Sequence, residues 1–193
     1  MTSEVFDLGL AEKFEKEKLI MGVIFSDREK FSEAMSAIKE AFGETDFETE
    51  EFSFSEEFSN YYDGELGGEA RRIIFSFESC VDASRQAEIK TFTNAIEARL
   101  SVDGKRLVNL DPGFLSHGRL MLATTKKTGF RIPLSDGIYT ELTLYYARGA
   151  WQKLPWTYRD YQSERVQDFL TTVRKKYLQQ RKVAELSADD TEN

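Results

Sequence analysis

The feature that most constrains the fold is the run at residues 18–26, which is apolar on both faces of the strand it predicts. One face carries Leu19, Met21, Val23 and Phe25, and the other carries Ile20 and Ile24. A strand with two apolar faces has to be covered on both sides, so it belongs in the middle of a sheet. We therefore expect packing layers on both faces of that sheet.

The segments that follow alternate between helical and extended patterns. In chain order we predict a helix within 26–43, a polar edge strand within 44–69, a strand over 71–77, a helix within 82–104 and a strand over 106–110. Ser26-Asp-Arg-Glu29 predicts a capping box for the first helix, and Asp82 or Ser84 caps the second. This order favours a ferredoxin-like βαββαβ core, with the strands at 18–26 and 71–77 adjacent and parallel.

A C-terminal extension supplies cover for the open face of that core, where Ile20, Ile24 and Ile74 would lie. We predict short antiparallel strands over 119–125, 130–134, 138–147 and 151–153, and a final helix over 163–181. The fold class is therefore α+β. We expect an N-terminal arm at 1–17, a single domain over 18–182, and an acidic disordered tail at 183–193.

Composition excludes several classes of protein. The net charge of −8 disfavours nucleic acid and anionic membranes as partners. One cysteine, Cys80, and one histidine, His117, cannot build a zinc site. There is no phosphate loop, no dinucleotide fingerprint and no haem-attachment motif. With no signal peptide and no apolar run long enough to span a bilayer, we expect a cytoplasmic protein. The oligomeric state is left open.

Residues 44–69 contain ten acidic residues and no Lys or Arg. Such a run is typical of a solvated edge that discourages pairing between sheets. A docking surface for a basic partner is the alternative.

Polar residues with the chemistry of a site are concentrated between residues 107 and 161. Asp111-Pro-Gly113 reads as a type II turn, yet Asn109 and Asp111 would share one side at a strand end. We expect a common cleft whose candidate residues are Lys90, Asn94, Asn109, Asp111, Lys126, Arg131, Glu141, Trp156 and Asp160. Their charges suit a small anionic or zwitterionic ligand, with Mg²⁺ a possible bridge between carboxylate and phosphate. A buried structural network of ion pairs is the alternative.

Five segments resemble an uncharacterised bacterial family, the domain of unknown function 4416. They are Glu88-Ile-Lys-x-Phe-Thr-Asn94, Asp103-Gly-Lys-Arg-x-Val-Asn-Leu-Asp-Pro-Gly113, Leu122-Ala-Thr-Thr-Lys126, Asp136-Gly-Ile-Tyr139 with Glu141, and Leu154-Pro-Trp-Thr-Tyr158 with Asp160. The resemblance covers roughly residues 18–178 and implies no activity. Relatives often have a histidine where this chain has Phe130.

Three functions are consistent with the sequence. The first is a small-ligand-binding or regulatory domain with a polar pocket. The second is a Mg²⁺-dependent enzyme acting on a phosphorylated or nucleotide-like substrate. The third is an interaction module that uses residues 44–69.

Overall fold

The computed structural model describes residues 13–189, apart from the side chains of residues 185 and 187–189. Its strands are β1 (Lys16–Phe25), β2 (Thr45–Glu48), β3 (Phe52–Ser53), β4 (Arg71–Asp82), β5 (Val108–Leu115), β6 (Arg119–Thr124), β7 (Ile132–Pro133), β8 (Tyr139–Ala147) and β9 (Ala150–Lys153). Its α-helices are α1 (Arg28–Phe42), α2 (Phe54–Glu57), α3 (Asp63–Leu66), α4 (Gln86–Leu100) and α5 (Glu164–Asp189). The predicted α+β class is confirmed.

The strands form one antiparallel sheet in the order β2-β4-β1-β5-β6-β8-β7, with β3 also paired to β4 and β9 to β8. The predicted neighbours at 18–26 and 71–77 are adjacent, but they are antiparallel, so the predicted direction was wrong. The reason lies in the connections. Because β2 and β1 are both antiparallel to β4, α1 links two strands of the same direction. The chain then reverses within residues 49–70.

The two faces of the central strand pack against different layers, as its two-sided apolarity predicts. On one face, side chains of α1 and α4, including Met35, Ile38 and Ile89, contact the sheet. On the other face, α5 covers the sheet with Val166, Phe169, Leu170, Val173 and Tyr177. The expected cover over Ile20, Ile24 and Ile74 is thus present. None of the described helices is both long and apolar enough to cross a membrane.

Helix ends differ from the predictions by a few residues. Asp27, rather than Ser26, caps α1 by accepting from Lys30 N at 2.9 Å, because the Ser26 hydroxyl donates to Leu66 O instead. Asp82 caps the short 3-10 turn Ala83–Arg85 that precedes α4. The final helix extends to Asp189, so residues 183–189 of the predicted tail are helical. Residues 1–12 of the predicted arm and 190–193 of the predicted tail lie outside the described part.

The Asp111-Pro-Gly113 tripeptide is not a turn; it lies inside β5. Pairing between β5 and β6 begins only at Gly113, so the strands separate before it. Side chains of α4 replace the missing strand: Glu97 Oε1 accepts from Leu110 N at 2.7 Å, and Lys90 Nζ donates to Leu110 O at 2.7 Å. Pro112, two residues further on, faces the same unpaired side, where a proline removes no ladder bond.

Candidate ligand-binding site

A polar cavity of about 100 Å³ lies where β5 and β6 separate. Seven of the nine predicted site residues line it: Lys90, Asn94, Asn109, Asp111, Lys126, Glu141 and Asp160. The wall is completed by ten residues outside the predicted set: Phe54, Tyr62, Arg72, Arg106, Leu122, Ala123, Thr124, Thr125, Tyr158 and Tyr161. The cavity therefore combines residues from α4, β4, β5, β6 and β8 with residues from the segments over 54–62 and 158–161.

The remaining two predicted residues stand outside the lining. Arg131 holds two of the lining residues in place. Its Nε donates to Glu141 Oε2 at 2.6 Å, and its Nη2 donates to Tyr158 OH at 2.8 Å. Trp156 stacks on Phe130 with ring centroids 4.7 Å apart. That stack takes up one face of the indole, and Trp156 does not line the cavity.

The most deeply buried cation at the cavity is Arg72 of β4. Its Nε lies 2.9 Å from Asp160 Oδ2, at an angle that makes the contact an ion pair rather than a hydrogen bond. Its Nη2 donates to Tyr161 OH at 3.2 Å. Burial disfavours the charged guanidinium, but Asp160 and other nearby anionic groups outweigh this effect and raise the pKa of Arg72.

Glycine at position 22 makes room for this guanidinium. A Cβ on Gly22 would lie 2.7 Å from Arg72 Nη2 and 3.2 Å from Tyr161 OH. The central strand therefore has no side chain at the point where Arg72 crosses it. The sequence signal for this feature was an arginine next to Ile74 on one face of a strand predicted to be covered on both faces.

A second set of ion pairs ties α4 to its surroundings. Arg106 Nη1 donates to Glu97 Oε2 at 2.7 Å, and Arg106 Nη2 lies 2.6 Å from Glu65 Oε1 in α3. Lys90 Nζ is 3.7 Å from Asp111 Oδ1 and 3.8 Å from Glu97 Oε1. Asp111 Oδ2 accepts from Asn109 Nδ2 at 2.7 Å. Lys90 and Asp111 are thus held near each other without a direct hydrogen bond.

Four buried atoms of the lining residues make no hydrogen bond of normal geometry with any described residue. Arg72 Nε and Asp160 Oδ2 face each other as the ion pair described above. The other two are Glu141 Oε1, an acceptor, and Arg106 Nε, a donor. Burial raises the pKa of Glu141, although Arg131 opposes that shift. Burial also raises the pKa of Tyr158 to about 12, so its hydroxyl stays protonated near neutral pH. The wall therefore offers both a carboxylate oxygen and donors to a ligand.

The charges of the lining are mixed, with cations in slight excess. Arg72, Lys90, Arg106 and Lys126 face Asp111, Glu141 and Asp160. Lys126 is exposed, and its Nζ lies 5.3 Å from the ring centroid of Tyr61. In a chain of net charge −8, the cavity therefore brings together four of the cationic side chains.

The carboxylates of the cavity are not arranged as a metal site. Asp160 is paired with Arg72, and Glu141 with Arg131. Across residues 13–189, no group of three or more His, Cys, Asp or Glu side chains is placed to hold a metal ion. The donor set that Mg²⁺ prefers is therefore engaged by guanidinium groups.

All five segments that carry the family resemblance contribute residues to this cavity. Fold and site together define an α+β protein whose antiparallel sheet opens between two strands around a polar cavity. The family model described as "Domain of unknown function (DUF4416)" matches residues 15–177, so the chain belongs to that family. Comparison with curated proteins and with solved structures finds no match.

Proposed function

We propose that this protein is a small-ligand-binding or regulatory domain that binds a small anionic ligand in the cavity between β5 and β6. The observation that carries the proposal is the convergence of Lys90, Lys126 and Arg106 on one cavity with polar atoms left unpaired. Natural ligand sites are concave and present a few such convergent polar groups. The hydroxyls of Thr124 and Thr125 add neutral donors to the wall.

The size of the cavity supports a small metabolite over a nucleotide. Its volume is about 100 Å³, and one water-sized position takes roughly 10–15 Å³. On that scale the cavity accepts roughly 7–10 non-hydrogen atoms. A nucleoside monophosphate is roughly twice that size or more. A nucleotide would therefore have to extend out of the cavity, and carboxylate placement gives no support to the Mg²⁺-dependent enzyme.

Lys126 provides the test, because it lines the cavity while its neighbour Lys127 does not. We expect millimolar inorganic phosphate, succinate or L-aspartate to raise the melting temperature of the wild-type protein, since a ligand that binds only the folded state stabilises it. Lys126→Ala should weaken binding measured by calorimetry about tenfold, the effect of losing one charge-assisted contact.

Lys127→Ala is the matched control, because Lys127 is exposed and carries the same charge. It should leave the affinity within about twofold of the wild-type value. Equal losses in the two variants would indicate non-specific attraction of anions, and the proposal would be wrong. The absence of any shift with all three probes would contradict it as well.

Most acids of the segment at 44–69 are paired with cations of the same chain, which leaves fewer of them for a basic partner. Six of its ten acids form ion pairs with described residues: Glu44, Asp46, Glu51, Glu57, Glu65 and Glu69. The segment also supplies β2, at the edge of the sheet, as predicted. Its helices α2 and α3 flank Tyr62, which faces the cavity.

Removing charges from the exposed part of this edge should have little effect on stability. We expect Glu48→Gln and Glu50→Gln each to change the free energy of unfolding by less than about 0.5 kcal/mol in urea titrations, because both side chains are exposed. Glu51→Gln should cost more, since Glu51 bonds Arg28 and Arg71. Equal effects at all three positions would contradict this reading of the edge.

We also infer that the first half of the chain is a ferredoxin-like unit, as its sequence order predicts. The neighbour order β2-β4-β1-β5 and the placement of α1 and α4 on one face support this inference. The remaining strands and α5 would then be an extension of that unit.

A further inference from the structure

We propose that the ligand is a zwitterion, with a protonated amine that donates to Glu141 Oε1 and an anionic group that faces Lys126 and Arg106. The inference rests on the proposed function, because it specifies which small anion the same cavity takes. It adds a requirement, a positively charged donor, that a general anion site would not have.

The requirement for a positively charged donor on the ligand comes from Glu141. Its side chain is 1% exposed, and Arg131 donates to only one of its oxygens, Oε2. The other oxygen, Oε1, is buried in the cavity wall and makes no hydrogen bond of normal geometry with a described residue. The Tyr158 hydroxyl is near enough to Glu141 to lower the pKa of its carboxyl, so it is the protein donor that a ligand amine would have to outcompete. A buried acceptor without a donor is unfavourable, so a ligand that brings an N–H group gains more here than it would at an exposed carboxylate.

An amine suits this position better than a hydroxyl because of the surrounding charge. Asp111 lies in the same lining and raises the pKa of Glu141, in addition to the effect of burial. A cation placed here interacts favourably with both carboxylates, and a hydrogen bond between charged groups is stronger than a neutral one. A hydroxyl would satisfy Oε1 but would bring no further positive charge to Glu141 and Asp111.

The anionic end of the ligand would face hydrogen-bond donors of the protein. Arg106 Nε is buried without an acceptor, and Lys126 projects from the loop after β6. Neither Glu65 nor Glu97 bonds Arg106 through this nitrogen, since both contact its terminal nitrogens. A carboxylate or phosphate a few bonds from the amine would supply the acceptor. Small amino acids and aminoalkyl phosphates have that form and the size of roughly 7–10 non-hydrogen atoms.

The test is calorimetry on the wild-type protein with probes that differ only in the amine. L-Aspartate, L-malate and succinate carry an ammonium, a hydroxyl and a hydrogen at the same carbon; phosphoethanolamine and ethyl phosphate form a second pair. We expect the amine-bearing member of at least one set to bind about ten- to a hundredfold more tightly than its partners. Glu141→Gln should reduce that ratio to about twofold, because it removes the carboxylate charge while keeping the shape.

The possible outcomes separate the two proposals. If anions bind equally with and without the amine, the zwitterion is wrong and the anion site stands. If L-malate equals L-aspartate and both exceed succinate, the donor is a hydroxyl and the amine is wrong. If no probe binds, both proposals fail. Should Glu141→Gln unfold in a melting curve, the probe ratios on the wild-type protein decide alone.

Discussion

Replacing Asp160 with asparagine is expected to lower the free energy of unfolding by about 3–5 kcal/mol. The side chains of Arg72 and Asp160 are only 4% and 2% exposed, and they pair at 2.9 Å. The variant leaves a buried guanidinium without its carboxylate, and a buried charge that loses its partner is strongly destabilising. Urea unfolding followed by circular dichroism measures the loss.

The matched control is Asp168→Asn on α5, which removes an exposed carboxylate and should change stability by less than about 0.5 kcal/mol. Adding Arg72→Met to Asp160→Asn should recover part of the loss, because the stranded charge is then gone. A small effect of Asp160→Asn alone, or no recovery in the double variant, would contradict the role given to this pair.

Arg131→Gln is expected to cost a similar amount, about 3–5 kcal/mol, for the opposite reason: it strands the buried carboxylate of Glu141. The exposed Arg159→Gln serves as the control and should change stability by less than about 0.5 kcal/mol. Equal stability of the two variants would place Glu141 in a more solvated environment than its 1% exposure indicates.

The loss in Arg131→Gln should depend on pH. Burial already raises the pKa of Glu141 in the folded protein, and removing Arg131 takes away the group that opposes the shift. A carboxyl whose folded pKa is raised binds its proton more tightly in the folded state. Its stabilising contribution is therefore present below the ordinary value of 4.5 and is lost as pH rises through the folded pKa. The deficit relative to wild type should therefore shrink as pH falls towards 4.5 through the raised pKa of Glu141 in the variant, and should be smallest at and below 4.5.

The sequence analysis offered two hypotheses for the candidate polar residues, a ligand cleft and a buried network of ion pairs. Each hypothesis describes some of these residues. Arg131 and Glu141 form a buried pair of the structural kind, as do Arg72 and Asp160. Asp111 differs: its side chain is 28% exposed, and its nearest cations are 3.7 and 3.9 Å away. The two buried ion pairs hold the walls of the cavity in place. Asp111 and Glu141 Oε1 are the carboxylate groups that could still accept hydrogen bonds from a ligand.

The sequence predicted which strands are adjacent better than it predicted their directions. Apolar positions at residues 18–26 report burial on both faces, and burial is independent of strand direction. The direction of β4 depends instead on a reversal within residues 49–70, where the chain forms the short helices α2 and α3 that the sequence did not predict. Pro112-Gly113 misled for a related reason: a proline favours turns, but the unpaired side of a strand tolerates it equally well. Gly113 is paired on both sides, and glycine is needed there because a Cβ would lie 2.5 Å from Met121 O.

The sequence analysis chose nine candidate site residues, at strand ends or turns and on the face of α4 that does not pack in the core. Seven of these nine residues line the cavity. Arg72 was missed because its partner, Asp160, is remote in sequence. Tyr62 was missed because nothing local places the segment between α2 and α3 over the cavity. Trp156 was included for its ring, whereas Phe130 supplies the stacking partner within the protein.

The position of Arg72 has a consequence for how the chain is made. Ribosomal synthesis delivers β1 and β4 well before Asp160 and α5, so a nascent chain first exposes Ile20, Ile24 and Ile74 on an uncovered face. A charge pointing from such a face opposes pairing with other sheets, a device that natural sheets use against aggregation. We expect Arg72 to protect the unfinished sheet until the last helix emerges, and only then to become the buried cation that depends on Asp160.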